Sequence, residues 1–393
     1  MSGQRLSSLE LLARLVGFNT ISSESNLDLI DFIAEYLAGW GVASVRIPDE
    51  TGRKAALFAT IGLADRGGVV LSGHTDVVPV EGQPWSSDPF RLTVRDGRAY
   101  GRGAVDMKGF CALVLAAVPD FVAAGLKTPI HLFFSYDEEV SCLGVVDGIR
   151  RFGHDLPLPV AVIVGEPTGL EVADAHKSIA MYTTTVSGAS AHSSNPGLGA
   201  SAVHGAVLIA AELDRLSLEY EARGDESGRF DPPFSTIHVG HINGGVARNI
   251  LASEASVLWE VRGLPDLPPN EIPARLEAFV GEHILPRFRR TFSGYRVETV
   301  MDGLVPALAP STDPLARTLM LKLAGRNRTV TVAYGTEAGH FANAGIPTVV
   351  CGPGSIDRAH KADEYITLEE LAAGEACLRQ LASDLSRSAL RAD

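Results

Sequence analysis

Three consecutive acidic residues, Asp137, Glu138 and Glu139, follow an apolar run, IHLFFSY, that is typical of a buried strand. Carboxylates are rarely buried without a partner, so this pattern has two interpretations. A solvated turn would need no other residues. A bound cation would need further donor side chains, carboxylates or imidazoles, from elsewhere in the chain.

Residues of these types follow other presumed strands as well. His74 and Asp76 come after GGVVLSG, Glu166 comes after VAVIVG, and His360 comes after PTVVCGPGSIDRA. Asp106 lies in YGRGAVDMKGF, where a glycine-rich turn enters a helix. Because sites in open α/β sheets form beyond the carboxyl ends of the strands, we expect these side chains to meet at one edge of a sheet.

Two histidines and several carboxylates match the ligands that zinc and related divalent ions prefer. A single ion needs about three protein ligands, whereas a larger set with one bridging carboxylate suits a pair of ions. The neighbouring residues Glu138 and Glu139 could have separate roles, in which one binds an ion and the other takes a proton from water. Asp76, two residues from His74, could brace the imidazole.

Each of these residues alone also fits an ordinary structural role. A histidine at a strand end is more often hydrogen-bonded within the fold, three acids more often form a solvated turn, and Asp106 could cap a helix. The recurrence of the same residue types at several strand exits favours the metal site. The segment GRGAVDMKG is neither a dinucleotide fingerprint nor a phosphate loop, and the chain contains no HExxH or GxSxG motif.

The order of the elements predicts one domain interrupted by another. Strand and helix patterns alternate up to about residue 177, which favours an α/β sheet with some parallel strands. From Ile179 a β-α-β-β-α pattern follows, with one more strand possible, and it predicts a compact α+β unit. We therefore expect a mixed-sheet α/β domain in residues 1–177 and 290–393, and a smaller α+β domain in residues 178–289.

Composition narrows the class of protein. The 393 residues are too many for one ordinary core, and a net charge of −13 makes nucleic acid and anionic membranes poor partners. No apolar run reaches the roughly 18 residues that a membrane span needs. The first residues show no signal-peptide pattern, and the four cysteines form no CxxC pair. We therefore expect a cytoplasmic protein with reduced thiols.

Five segments resemble, in order, the metal-binding motifs of the M20 metallopeptidase and deacylase family: SGHTDVVPVEGQPWSSDPF, GRGAVDMKGF, SYDEEVSCLG, VGEPTG and RAHKADEY. The resemblance covers essentially the whole chain. It implies a metallohydrolase catalytic domain with two zinc ions per subunit, for which cobalt can substitute. It also implies that the inserted domain serves dimerisation or acts as a lid, and that the protein is a homodimer.

The resemblance assigns each candidate ligand to an ion. Asp106 would bridge the two ions. His74 and Glu166 would complete the coordination of one ion, and Glu139 and His360 that of the other.

The resemblance also implies the catalytic and substrate-binding residues. Glu138 would be the general base, and Asp76 would orient His74. In the inserted domain, His192 of SGASAHSS would stabilise the oxyanion, often at the site of a neighbouring subunit. Asn249 of GGVARNI and Arg262 of WEVRG would help to hold the carboxylate of the substrate.

Within the family, three segments are most similar to the members that convert N-acetyl-L-ornithine to ornithine and acetate in arginine biosynthesis: GQPWSSDPF, GEPTGLEVADAHKS and YGTEAGHFANAGIPTVVCGPGSIDRAHKADEYI. The expected substrate is therefore a small N-acyl amino acid. Succinyl-diaminopimelate desuccinylase, aminoacylase, dipeptidase and carboxypeptidase are alternatives within the family. A metal-binding protein without catalysis would not need Glu138 as a spare base, and a phosphoesterase would be expected to carry a basic cluster.

Overall fold

The computed structural model describes residues 3–390. The strands, in chain order, are β1 (Ser44–Pro48), β2 (Ala55–Ile61), β3 (Val69–His74), β4 (Thr93–Arg95), β5 (Arg98–Tyr100), β6 (Ile130–Ser135), β7 (Ala161–Pro167), β8 (Ala173–His176), β9 (Ile179–Ser187), β10 (Thr236–Gly244), β11 (Glu254–Arg262), β12 (Arg296–Val305), β13 (Val330–Val332), β14 (Thr348–Gly352) and β15 (Tyr365–Thr367). The α-helices are α1 (Ser8–Val16), α2 (Leu27–Gly39), α3 (Lys108–Ala123), α4 (Val146–Arg151), α5 (Ala202–Arg223), α6 (Glu271–Phe279), α7 (Leu285–Phe288), α8 (Leu315–Leu323), α9 (Ala338–Asn343) and α10 (Leu368–Arg387).

The chain folds as two compact units. The first unit comprises the residues up to Ala175, Ala309–Val330 and the residues from Thr336 onward. The second comprises His176–Leu308 and Thr331–Gly335. No helix in the described range, residues 3–390, is both long and apolar enough to cross a bilayer.

A mixed sheet of eight strands forms the centre of the first unit, in the order β1-β2-β6-β3-β7-β14-β8-β13. Its central pairs, β6 with β3, β3 with β7, and β7 with β14, are parallel. Every residue of β3, β6 and β7 is buried, as expected for strands covered on both faces. The carboxyl ends of these parallel strands therefore lie along one edge of the sheet.

Helix α3 is the main helical element of this core. Its residues are apolar on nearly all sides, and α1 and α10 pack against it. Capping boxes begin both of these outer helices, because Ser7 pairs with Glu10 and Thr367 pairs with Glu370. A small antiparallel sheet, in the order β15-β5-β4, lies beside the segments that carry Asp106 and His360 in the sequence.

The second unit is an antiparallel sheet in the order β10-β11-β9-β12, with α5 and α6 contributing to its hydrophobic core. Alternate residues of β9 are buried, as the sequence pattern predicts for a half-exposed strand. Tyr182 and Trp259 stack in this core with ring centroids 4.2 Å apart. The predicted α/β fold, with a mixed sheet and a smaller α+β insertion, is thus confirmed.

The second unit extends further than the predicted boundary at residue 289. Strand β12 pairs with β9 from Arg296↔Ser187 to Val305↔Ile179, with a shift in register between Met301 and Gly303, so the chain leaves this unit only after Leu308. The reason for the difference is the position of β12 at the sheet edge. Most of its residues are exposed, and its sequence therefore lacks the alternation that marks a half-buried strand.

Candidate metal centre

Three parallel strands deliver donor side chains to one edge of the large sheet. His74 is the last residue of β3, Glu166 lies near the end of β7, and Glu138 and Glu139 follow β6. The His74 side chain is fully buried, and the other three are nearly so. The turn before α3 adds the buried side chain of Asp106. The structure thus brings these side chains together at one edge of the sheet.

The carboxylate of Asp106 lies between two imidazoles. Its Oδ1 is 3.1 Å from Nε2 of His74, and its Oδ2 is 3.2 Å from Nε2 of His360. Nε2 of His360 also lies 2.9 Å from Oε2 of Glu139. This arrangement places one carboxylate where it can reach two ions, with one histidine on each side.

The remaining donors are close to His74. Its Nε2 lies 3.6 Å from Oε1 of Glu166 and 4.0 Å from Oε2 of Glu138. Two groups of three side chains each have donor atoms within 4.8 Å of one another: His74, Asp106 and Glu139, and His74, Glu138 and Glu166. The side chains thus stand close enough for shared ions, and Glu138 belongs to one of the two groups.

The crowding of carboxylates changes their acidity. Burial raises the pKa values of Glu138 and Glu166 well above the usual range, and neighbouring carboxylates add to this effect. Burial and the charge of Asp106 raise the pKa of Glu139 to about 7. Although burial opposes ionisation of Asp106, hydrogen bonds from His360 and His74 hold the pKa of that carboxyl well below its usual range.

The donor set fits divalent cations. Oε1 of Glu166 is buried and has no hydrogen-bond partner within residues 3–390. Burying such an oxygen costs free energy unless a positive charge or a hydrogen-bond donor lies beside it, and a cation would be such a partner. Imidazole nitrogens and carboxylate oxygens are ligands of zinc and of other borderline divalent ions. The residues are therefore suited to hold such ions.

Asp76 contacts His74 through its main chain and the acidic loop through its side chain. Nδ1 of His74 lies 2.9 Å from the main-chain carbonyl oxygen of Asp76 and 3.5 Å from its carboxylate. The carboxylate instead accepts hydrogen bonds from the backbone N–H groups of Glu138 and Glu139, at 3.1 and 3.3 Å. The main chain of Asp76 thus orients the imidazole, and its side chain fixes the acidic loop.

Two residues that the sequence analysis did not single out also anchor this loop. The hydroxyl of Ser22 donates to Asp76 at 2.7 Å. Nζ of Lys54 pairs with the carboxylate of Asp137 and donates to the carbonyl of Ser22. These partners lie many residues from the loop in sequence, so no local motif marks them.

Cys142 and Glu337 are further polar neighbours that local patterns did not reveal. The thiol of Cys142 lies 3.3 Å from Oε1 of Glu138, so the other carboxylate oxygen of Glu138 faces His74. The buried carboxylate of Glu337 accepts hydrogen bonds from Ser72 at 2.5 Å and from Ser135 at 2.7 Å. Because these serines lie on β3 and β6, Glu337 links the two strands that carry His74 and the acidic loop.

The other predicted site residues lie in the second unit. His192 is exposed, and its Nδ1 accepts a hydrogen bond from the backbone N–H of Ser194 at 3.2 Å. The carbonyl of Asn249 accepts from the N–H of Ser193, which places Asn249 beside His192. Nε and Nη2 of Arg262 lie 3.2 and 3.3 Å from the carboxylate of Glu260, so this guanidinium already has an anionic neighbour.

Residues 70–384 match the model of peptidase family M20/M25/M40. Over 371 residues, the chain is 34% identical to acetylornithine deacetylase from Shigella sonnei, and the match covers 91% of this chain and 92% of that protein. It is also 34% identical over 373 residues to acetylornithine deacetylase from Proteus mirabilis, covering 92% of each.

Solved structures show the same fold at lower identity. An M20 family metallo-carboxypeptidase from Sulfolobus solfataricus superposes with a TM-score of 0.76 and 18% identity, over 96% of this chain and 99% of that one. A dinuclear metal binding peptidase of the M20 family from Bacillus subtilis gives a TM-score of 0.69 and 14% identity, over 96% and 97% of the chains. At these identities the likeness establishes the fold.

We expect the chain to bind two divalent ions and the Asp106→Asn variant to bind them more weakly. The amide supplies one neutral oxygen between the two imidazoles, whereas the carboxylate that it replaces supplies two oxygens and a negative charge. The loss should at least match the ~10–100-fold that an outer-shell partner typically contributes. Affinity should also fall as the pH is lowered, because the ligands bind in deprotonated form. Calorimetric titration with Zn²⁺ or Co²⁺ measures both effects. Asp147→Asn, an exposed change on α4, is the control, and wild-type protein that binds no ion would contradict the assignment.

Proposed function

The chain belongs to peptidase family M20/M25/M40, and on this premise we propose that it is a dinuclear zinc amidohydrolase that converts N-acetyl-L-ornithine to ornithine and acetate. The observation that carries the proposal is the position of Glu138, a buried carboxylate beside a set of cation ligands. The substrate is proposed from the similarity to two acetylornithine deacetylases along most of the chain. Such a reaction would serve arginine biosynthesis in the cytoplasm.

Five side chains would hold the ions: His74, Asp106, Glu139, Glu166 and His360. When bound, zinc acts as a Lewis acid that polarises a carbonyl group and lowers the pKa of a coordinated water toward neutrality. Cobalt would be an effective substitute, because its ligand preferences are similar. The protein's own contribution is to hold the ligands in place and to move protons near the acyl group.

Glu138 would be the general base. One of its carboxylate oxygens lies near the thiol of Cys142, and the other faces His74 at 4.0 Å. Burial raises its pKa, which suits a group that must first accept a proton and then release it. In this role the carboxylate takes a proton from the attacking water and returns it to the leaving amine, and the amide bond breaks.

His192 would stabilise the oxyanion. Because its Nδ1 accepts a hydrogen bond from Ser194, the neutral imidazole carries its proton on Nε2. That N–H could donate to an oxyanion, and preorganised donors of this kind are among the largest contributions to catalysis. We further propose that the protein is a homodimer in which His192 serves the site of the partner subunit.

Asn249 and Arg262 would bind the carboxylate of the amino-acid substrate. The carbonyl of Asn249 accepts a hydrogen bond from the N–H of Ser193, the residue after His192. Asn249 and His192 would therefore act from one surface. Arg262 offers the planar fork that suits a carboxylate, and it would exchange its partner Glu260 for the substrate. A substrate with one free carboxylate and a small acyl group fits these roles.

A hydrolysis panel tests the substrate. With Zn²⁺ or Co²⁺ present, kcat/KM should be highest for N-acetyl-L-ornithine among N-acetyl amino acids, N-succinyl-diaminopimelate and dipeptides. Chelation should abolish hydrolysis, and either metal should restore it. A different preferred substrate would change the substrate assignment and leave amide hydrolysis intact. If the metal-loaded protein cleaves no member of the panel, the proposed function is wrong.

Glu138→Gln should retain its metal ions and lose about 10²–10⁴-fold in kcat, because a positioned base typically contributes that much. Stopped assays of ornithine release measure kcat, and elemental analysis of the dialysed protein measures the ions. Glu35→Gln makes the same chemical change at an exposed position on α2 and should be unaffected. Near-normal turnover in Glu138→Gln would assign the base to another residue.

Subunit exchange tests the role of His192. Removal of an oxyanion donor should lower kcat by about 10²–10³-fold, so His192→Ala should be nearly inactive. If His192 acts across a dimer, a mixture of His192→Ala and Glu138→Gln subunits contains one site with an intact base and an intact imidazole. Activity should therefore return on mixing. A mixture that stays inactive after verified exchange excludes the cross-subunit role, and an active His192→Ala protein excludes any catalytic role.

A further inference from the structure

A buried ion pair between Arg102 and Glu364 lies next to the candidate metal centre. Arg102 and Glu364 are each about 1% exposed, and Nη1 of the arginine is 2.7 Å from Oε2 of the glutamate. Arg102 follows β5 in the chain, and Glu364 precedes β15. These two strands pair, with Tyr100 of β5 opposite Tyr365 of β15. The pairing of these short strands therefore brings together two residues that are far apart in the sequence.

Glu364 connects this pair to the residue between the two imidazoles. Its second oxygen, Oε1, accepts hydrogen bonds from the backbone N–H groups of Val105 and Asp106, at 2.9 and 3.1 Å. One carboxylate thus receives the arginine on one oxygen and the turn before α3 on the other. Glu364 thus holds the backbone of Asp106, and the side chain of Asp106 lies between His74 and His360.

Arg102 connects the pair to the segment that carries His360. Its Nη2 donates to Oε1 of Gln83 at 2.6 Å, and Nε2 of Gln83 donates to the carbonyl oxygen of His360 at 3.1 Å. The guanidinium also lies 5.0 Å from the centre of the Trp85 ring. His360 has a φ of 61°, a left-handed conformation that a residue with a side chain adopts only when its surroundings favour it.

The energetics of a buried ion pair call for an explanation beyond stability. Removing two charges from water is costly, and apolar residues of similar volume often stabilise a protein as well or better. We propose that Arg102 and Glu364 are positioning residues that hold Asp106 and His360 at the separation required for divalent cations. This inference rests on the proposed metal-dependent function and adds to it the residues that set the geometry of the ligands.

The test compares cation binding with stability in variants of the full chain. Zn²⁺ affinity is measured by competition with a chromophoric chelator, ligand geometry by the visible absorption of the Co²⁺ protein, and stability by thermal unfolding. Glu364→Gln and Arg102→Lys should each weaken the binding of at least one ion by ~10–100-fold and alter the Co²⁺ spectrum. Leu381→Ala, in the buried core of α10, is the matched control, because it should lower the unfolding temperature without altering ion binding.

A double variant separates positioning from stability. Arg102→Met combined with Glu364→Gln removes both charges and keeps an amide oxygen that can accept from the N–H groups of Val105 and Asp106, so it should recover unfolding temperature relative to Glu364→Gln alone. Its ion affinity should nevertheless stay low. Recovery of both properties, or unchanged ion binding in the single variants, would overturn the proposal. If Glu364→Gln does not fold, Arg102→Lys and the double variant give the same decision. Wild-type protein that binds no ion would instead reject the proposed function itself.

Discussion

Mutual repulsion among buried carboxylates is the constraint that the structure around the site must counter. The sheet edge that holds the fully buried imidazole of His74 also carries the carboxylates of Asp106, Glu138, Glu139 and Glu166. Burial and like charges raise the pKa values of the three glutamates, so the arrangement costs folding free energy rather than supplying it. Buried clusters of this kind are typical of functional sites, and a bound cation would neutralise this one.

Much of this cluster could be predicted from the sequence because each candidate ligand is marked locally. An apolar run of strand length followed by a histidine or glutamate is a local pattern, and parallel strands place their carboxyl ends together. Asp106 was visible as an acidic residue in a glycine-rich turn. Their convergence followed from the topology of an α/β sheet, a constraint that holds whatever the details of packing.

The partners that hold the ligands could not be predicted in the same way. Lys54 binds Asp137, and Arg102 binds Glu364, across large separations in sequence, and arginines and lysines usually lie on the surface. Nothing local distinguishes these two from other basic residues. Strand β12, which the sequence analysis left open, lies beyond the predicted boundary at residue 289 for a related reason, because an exposed edge strand lacks the alternating burial that sequence patterns report. Pairing across the chain is set by the three-dimensional fold, whereas sequence patterns describe only neighbouring residues.

The two histidines are held by different kinds of structure. His74 ends a fully buried strand, and the carbonyl of Asp76 orients its imidazole, so its position is as rigid as the sheet. The His360 side chain is 51% exposed and lies on a loop, where its carbonyl is bound by Gln83. Asp106 contacts both imidazoles and therefore joins a histidine on a buried strand to one on a partly exposed loop. The backbone N–H of Asp106 donates a hydrogen bond to Glu364, which ties Asp106 to the same network that contacts the loop of His360.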